Sequence, residues 1–112
     1  MYTTDMRNDV VYAERFVWNR RKANENLKKH QLSFETAVRI FNDPVLYMEY
    51  DTTHSAQGED RYLCIGIADH AYTALTVIMT EQEPYIRMIS ARKATQKEVL
   101  IYEKNAKNLR NN

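Results

Sequence analysis

The residue in this sequence best suited to chemistry is an arginine inside an apolar, β-type segment. Arg87 has Ile86, Met88 and Ile89 around it, a run too apolar for an exposed sheet edge. A guanidinium held on a sheet presents a rigid, planar set of donors that suits a phosphate. Strand alternation predicts two faces for the segment, Ile86, Met88 and Ser90 on one and Arg87, Ile89 and Ala91 on the other. The alternative role for Arg87 is an ion pair across the sheet with Glu49, Glu59 or Glu81.

A carboxylate and a second arginine stand two residues apart at the start of another predicted strand. Glu59 and Arg61 therefore share a face, and the arginine would keep the carboxylate ionised, as a base requires. The pair could equally be a strand-end ion pair of little energetic weight. His30 ends the first predicted helix and is a candidate acid or base, or a cap contact at the helix C-terminus. For the predicted loop residues His54 and His70 we expect no role.

The composition argues against several classes of site. A single cysteine, Cys64, permits no internal disulfide and no cysteine metal cluster. Metal-binding spacings such as HExxH are absent, and with Gly58 and Gly66 as the only glycines there is no glycine-rich phosphate loop. We therefore expect neither metal nor cofactor. An apolar run of membrane-spanning length and a signal-peptide core are also missing, so a cytoplasmic location is expected.

Charge is unevenly distributed although the net charge is only +1. Residues 15–30 and 87–110 are predominantly basic, whereas residues 44–60 carry acidic side chains and no basic ones. Separated blocks of this kind can present a basic surface to phosphates. The alternative is that they are ordinary solvated helix faces.

The chain length of 112 residues fits one domain, which we place at residues 13–112 behind an N-terminal extension, residues 1–12. A short strand at 15–18 precedes a helix over about 20–30, capped by Asn19. In this helix we expect Ala23, Leu27 and His30 to face inward and Lys22, Asn26 and Lys29 to face solvent. Ser33 caps a second helix, which ends at residues 42–44.

The second half of the chain has β-type patterns followed by one helix. Strands are predicted at 45–50, 61–68, 72–80 and 85–91, with connections short enough for an antiparallel meander. Thr95 and Glu98 form a capping-box pattern that announces a last helix, with Val99, Tyr102 and Ala106 inward. The predicted fold class is α+β: a short strand, a helical hairpin, a four-stranded meander and a C-terminal helix.

Several blocks of residues, in order, resemble one family. They are Phe16-x-Trp18-Asn19-x-x-Lys22-x-Asn24, Lys29-His30-x-Leu32-Ser33-Phe34-Glu35-x-Ala37, Phe41-x-Asp43-Pro44, Glu59-x-Arg61-Tyr62, Gly66 and Ile86-Arg87-x-Ile89-Ser90-Ala91-Arg92-x-Ala94-Thr95-x-x-Glu98-x-x-x-Tyr102. Together they resemble the BrnT toxins and span residues 15 to about 104. Asn19 departs from the family pattern, which has an aspartate there; both residue types cap helices.

The resemblance implies a RelE-like fold and a metal-independent endoribonuclease that arrests translation. It also implies a BrnA-like antitoxin as partner, RNA as substrate, and operator DNA bound only through the toxin–antitoxin complex. Carried onto this chain, it gives phosphate binding and charge stabilisation to Arg61, Arg87 and Arg92. Proton transfer falls to Glu59 or His30, and substrate contacts to Lys22 and Trp18.

Two points stay open at the level of sequence. A non-catalytic nucleic-acid-binding or interaction module of the same fold is the alternative function, because the sequence shows no clear acid–base pair. Arg87 and Arg92 lie on opposite faces of a regular strand. We expect the turn into the last helix to bring Arg92 into the pocket of Arg87 and Arg61.

Overall fold

The computed structural model describes residues 2–5, 9–56, 58–69 and 73–111. Within these ranges the strands are β1 (Tyr2–Asp5), β2 (Val10–Ala13), β3 (Phe16–Asn19), β4 (Tyr47–Tyr50), β5 (Arg61–Ile67), β6 (Ala74–Gln82) and β7 (Tyr85–Lys93). The α-helices are α1 (Arg20–His30), α2 (Phe34–Ala37) and α3 (Gln96–Arg110), and a 3-10 helix (Val38–Asn42) continues α2. None of the helices in these ranges is long and apolar enough to cross a bilayer.

The strands form one mixed sheet in the order β1-β2-β3-β7-β6-β5-β4. Strands β4 to β7 pair antiparallel in chain order, which confirms the predicted meander, and β3 joins β7 in parallel. The α+β class is therefore confirmed. Strands β1 and β2 are an addition, because residues 1–12 were assigned to an N-terminal extension and no strand was predicted there. Strand β2 contributes Val11 to the core, but a run of four residues is at the short limit for recognising a strand from its pattern.

The sheet has a helix-covered face on each side. Helices α1 and α2 and the 3-10 helix cover the first face, where the core includes Phe34, Ile40, Val77, Met79 and Met88. The close approach of the 3-10 helix accounts for Gly66, since a Cβ there would lie 3.0 Å from the Cβ of Ile40. Helix α3 packs on the second face, with Tyr102 against Ile65 and Ala74.

Helix α1 packs through a residue that the sequence pattern assigned to solvent. The cap at Asn19 is confirmed, but Leu27 is exposed and Asn26 is buried. The Asn26 amide accepts from the backbone N–H of Ala91 at 3.0 Å and donates to the Ala91 carbonyl at 2.8 Å. Strand β3 pairs with β7 only at Ile86 and Arg87. Farther along β7, Asn26 therefore satisfies the backbone in place of a strand. The predicted stripe was wrong at Leu27 and Asn26, whereas Ala23 packs against the core as predicted.

A bulge in β7 corrects the predicted alternation. Ile78 of β6 lies opposite Ser90 and the next residue, Met79, lies opposite Met88, so Ile89 is an extra residue in the ladder. Met88 and Ala91 consequently both belong to the core of the first face, contrary to the prediction of opposite faces. Arg87 and Arg92 accordingly lie on the same face of the sheet, the second one.

Helix α3 is fixed at its start and along its inward side. The Thr95–Glu98 capping box is present as predicted, and the inward positions Tyr102 and Ala106 are buried. The Tyr102 hydroxyl donates to Asp43 Oδ2 at 2.6 Å, and the same oxygen accepts from the backbone N–H of Ile67 at 2.9 Å. Asp43 therefore joins the chain after the 3-10 helix to both β5 and α3.

Candidate active site

One carboxylate joins two arginines on the second face of the sheet. Glu59 Oε1 accepts from Arg61 Nε at 2.8 Å, and Glu59 Oε2 accepts from Arg87 Nη2 at 2.6 Å. We call these three residues the Glu59 cluster. Their side chains are 32% (Glu59), 29% (Arg61) and 28% (Arg87) exposed, so the cluster is open to an incoming anion. Both sequence alternatives for an ion pair, Glu59 with Arg61 and Glu59 with Arg87, are confirmed together.

The sheet places the two arginines at one end of three adjacent strands. Thr80 of β6 lies opposite Arg61 of β5 on one side and opposite Arg87 of β7 on the other. The Thr80 hydroxyl donates to the Asp60 carbonyl at 2.6 Å, which ties the segment carrying Glu59 to the sheet. A cleft of about 380 Å³ adjoins the cluster, lined by Gly58, Glu59, Asp60, Tyr62, Thr80, Glu81, Gln82 and Arg87.

Electrostatics in the cluster favour an ionised carboxylate. The hydrogen bond from Arg61, together with the charges of Arg87 and Arg61, lowers the pKa of Glu59 below its ordinary value. Glu59 takes up one nitrogen of each guanidinium. Because a guanidinium carries five N–H donors, both arginines keep donors for a phosphate.

Arg92 lies elsewhere on the same face. Its guanidinium makes two hydrogen bonds to Glu98, at 2.7 and 2.9 Å, and this contact lowers the pKa of Glu98 to about 2. Arg92 lies opposite Thr76, whereas Arg87 lies opposite Thr80. Four residues of β6 separate the two positions by about 13 Å. The expectation that Arg92 shares the pocket of Arg87 was therefore wrong. The bulge does place Arg92 on the same face as Arg87, but Glu98 holds its guanidinium at the start of α3.

The other predicted site residues lie on the side of the sheet opposite the cluster. Trp18 is only 2% exposed and packs edge-on against Phe34 at 5.8 Å between ring centroids, which places its ring in the core. Lys22 is exposed on α1, and His30 is the half-buried last residue of that helix. The structure thus brings Glu59, Arg61 and Arg87 together, and does not bring Trp18, Lys22 or His30 to them.

A histidine–carboxylate pair was missed by the sequence argument. His54 Nδ1 lies 2.7 Å from Oδ2 of Asp51, a carboxylate that is 7% exposed. The loop that carries the pair is joined to β5, since the backbone N–H of Asp51 donates to the Arg61 carbonyl at 2.8 Å. Asp51 and His54 lie three residues apart in the sequence. This spacing could have indicated the pair, but it is common in loops. His70, also expected to have no role, lies outside the described residues.

Comparison with known proteins identifies a family for most of the chain. A family model described as the ribonuclease toxin BrnT of type II toxin–antitoxin systems matches residues 18–98. This match covers most of the chain and includes Glu59, Arg61, Arg87 and Arg92, while strands β1 and β2 lie outside it. A search of curated proteins finds no match.

Proposed function

Because the chain belongs to the BrnT family of ribonuclease toxins from type II toxin–antitoxin systems, we propose that it is a metal-independent endoribonuclease whose phosphate site is the Glu59 cluster. The observation that carries this proposal is the sharing of one carboxylate by Arg61 and Arg87, at 2.8 and 2.6 Å, on a rigid sheet. Two guanidinium groups held in this way can receive a phosphate with little reorganisation.

The proposed reaction is attack of the RNA 2′-hydroxyl on its own phosphate. A base removes the 2′-hydroxyl proton, a bond forms between O2′ and phosphorus, and the bond from phosphorus to O5′ breaks. The products are a 2′,3′-cyclic phosphate and a 5′-hydroxyl, which receives a proton from an acid. Arg61 and Arg87 stabilise the additional negative charge on the phosphoryl oxygens.

Glu59 is our proposed base. In the free protein the arginines lower its pKa, which keeps it ionised but also makes it a weak proton acceptor. A phosphate that takes up the arginines would remove part of their stabilisation and add a negative charge nearby, and both effects raise the pKa of the carboxylate. Substrate binding would thus strengthen the base. From the resemblance, His30 remains a candidate for proton transfer and Arg92 for phosphate binding and charge stabilisation. Lys22 and Trp18 remain candidate substrate contacts.

The family also implies an antitoxin as partner. We propose that this antitoxin is BrnA-like, that the complex and not the toxin alone binds operator DNA, and that RNA cleavage in the cytoplasm arrests translation. The order of the helices and the β4–β7 meander support a RelE-like fold, which is the fold that the resemblance implies for this function.

The test is cleavage of single-stranded RNA by the purified protein in the presence of a chelator. We expect cleavage that leaves 2′,3′-cyclic phosphate ends, and no cleavage where the attacking nucleotide is 2′-deoxy. Arg87→Ala is expected to lower the rate by about 10²- to 10³-fold. Arg39→Ala is the matched control, because Arg39 forms an exposed ion pair with Asp69, and its rate should be unchanged. Folded wild type that cleaves no RNA would overturn the proposal, and activity lost on chelation would overturn its metal independence.

A second candidate function is a nucleic-acid-binding module without catalysis. The observation that favours it is that Glu59 pairs with both Arg61 and Arg87, as in a purely structural cluster. A protein of this kind would bind a non-cleavable oligonucleotide and leave the cleavable one intact. The same cleavage assay, combined with a binding measurement, separates the two functions.

A further inference from the structure

A pair of tyrosines lies beside the Glu59 cluster on the same face of the sheet. Tyr85 stands two residues before Arg87 in β7, so their side chains point to the same side. Tyr12 of β2 meets Tyr85 with 5.2 Å between ring centroids and 60° between ring planes. Neither ring belongs to the clusters that form the core of the fold.

The strand register places Tyr12 in one row with the two arginines. Tyr12 lies opposite Val17, Val17 opposite Arg87, Arg87 opposite Thr80, and Thr80 opposite Arg61. This row crosses five strands, and neighbouring strands are about 4.8 Å apart. The backbones of Tyr12 and Arg87 are thus separated by roughly 10 Å, and those of Tyr85 and Arg87 by roughly 7 Å along the strand. These separations are comparable with the size of one nucleotide.

Two chemically different surfaces therefore adjoin each other. The cluster offers cationic donors suited to a phosphate, and the tyrosine pair offers half-buried aromatic rings. Unpaired RNA bases commonly stack on aromatic side chains of proteins, and stacking tolerates any base because every base has a π-face. A base attached to a phosphate in the cluster would have an aromatic surface within reach on the β7 and β2 side.

We propose that Tyr12 and Tyr85 form a stacking surface for an unpaired RNA base next to the phosphate bound by Arg61 and Arg87. The proposal rests on the function proposed above and adds the placement of a base. It also gives the strand pair β1–β2 a role in substrate binding. Tyr12 lies outside the family match at residues 18–98, whereas Tyr85 lies within it.

The test is binding of a single-stranded RNA that is 2′-deoxy at the cleavage position and therefore stays intact. The bases flanking that position are replaced, one at a time, by the fluorescent base 2-aminopurine. Tyr12→Phe keeps the ring and should bind as wild type does, with the same quenching of one flanking base. Tyr12→Leu keeps an apolar side chain without the ring and should bind about tenfold more weakly or worse, with the quenching lost.

An abasic oligonucleotide separates stacking from a structural role. When the stacked base is removed, wild type and Tyr12→Leu should bind with equal affinity, because neither has a base to contact. A loss in Tyr12→Leu that is as large on the abasic as on the intact oligonucleotide would overturn the proposal, as would equal affinity of both proteins for the intact one. Tyr85→Leu is the second variant should Tyr12→Leu fail to fold, and the same outcomes apply to it.

Failure of the stacking proposal can be told from failure of the proposed function. Wild type that binds and quenches as expected but cleaves no RNA would overturn catalysis and leave the stacking surface supported. Wild type that cleaves RNA, with leucine variants as tight in binding as wild type, would overturn the stacking surface alone. Wild type that binds no oligonucleotide would overturn both.

Discussion

Glu59 meets two opposed requirements in one side chain. It holds Arg61 and Arg87 through separate oxygens, which demands a stable negative charge, and in our proposal it also accepts a proton, which demands basicity. Substrate can reconcile the two demands because a phosphate competes for the same arginines. The base strength of Glu59 is therefore expected to differ between the free and the RNA-bound protein.

This difference predicts two separate acid limbs in the pH dependence of cleavage. The limb of kcat/KM reports the free protein, where the pKa of Glu59 is lowered, so it should lie below the ordinary glutamate range. The limb of kcat reports the bound protein and should lie at higher pH. Activity is lost in each case as pH falls, since Glu59 must be ionised. Steady-state rates between pH 3 and 8 measure both limbs. Coincident limbs, or the reverse order, would remove Glu59 as the base.

The spacing of Glu59 and Arg61 predicted their contact, but it could not select the partner of Arg87. Three carboxylates were candidates, and the choice depended on how the loop after β4 folds back. Backbone hydrogen bonds between Ala56 and Glu59, together with the bond from Thr80 to Asp60, set that path. Contacts of this kind produce no periodic pattern of residue types in a sequence.

At the level of elements, side-chain capping was predictable and long-range pairing was not. Asn19, Ser33 and Thr95 each cap a helix through a neighbour three residues away, and a local signal of that kind can be found in the sequence. Asn26 bonds a strand backbone 65 residues away, and a helical wheel shows it only as one more polar residue. The bulge at Ile89 likewise depends on the facing strand, so the face of Arg92 could not be assigned from parity.

The role of Asn26 predicts a large loss of stability from one polar substitution. Asn26→Leu should lower the free energy of unfolding by about 2–4 kcal/mol, because it leaves the buried N–H and carbonyl of Ala91 without these partners. Asn24→Leu on the same helix is the control: Asn24 is exposed, and its change should stay within about 0.5 kcal/mol. Urea denaturation measures both. Equal stability of the two variants would show that the Asn26 bonds contribute little.

At the level of the whole molecule, the distribution of charge matters more than its sum. The net charge is +1, yet the second face of the sheet gathers Arg61, Arg87 and Arg92 on β5 and β7, the two strands that flank β6. Each of these arginines has a carboxylate partner, which offsets part of its positive charge. We therefore expect modest affinity that depends on a few phosphate contacts rather than on a general basic surface.

The salt dependence of RNA binding measures the number of those phosphate contacts. For single strands, each neutralised phosphate contributes about −0.7 to the slope of log Kobs against log salt concentration. Arg87→Ala should therefore make the slope of a non-cleavable oligonucleotide shallower by about 0.7, and Arg61→Ala should act similarly. Arg92→Ala should change it little, because Glu98 holds that guanidinium at the start of α3. Fluorescence anisotropy between 50 and 300 mM salt gives the slopes. An unchanged slope in Arg87→Ala with a change in Arg92→Ala would place the phosphate at the α3 end of the sheet and not at Glu59.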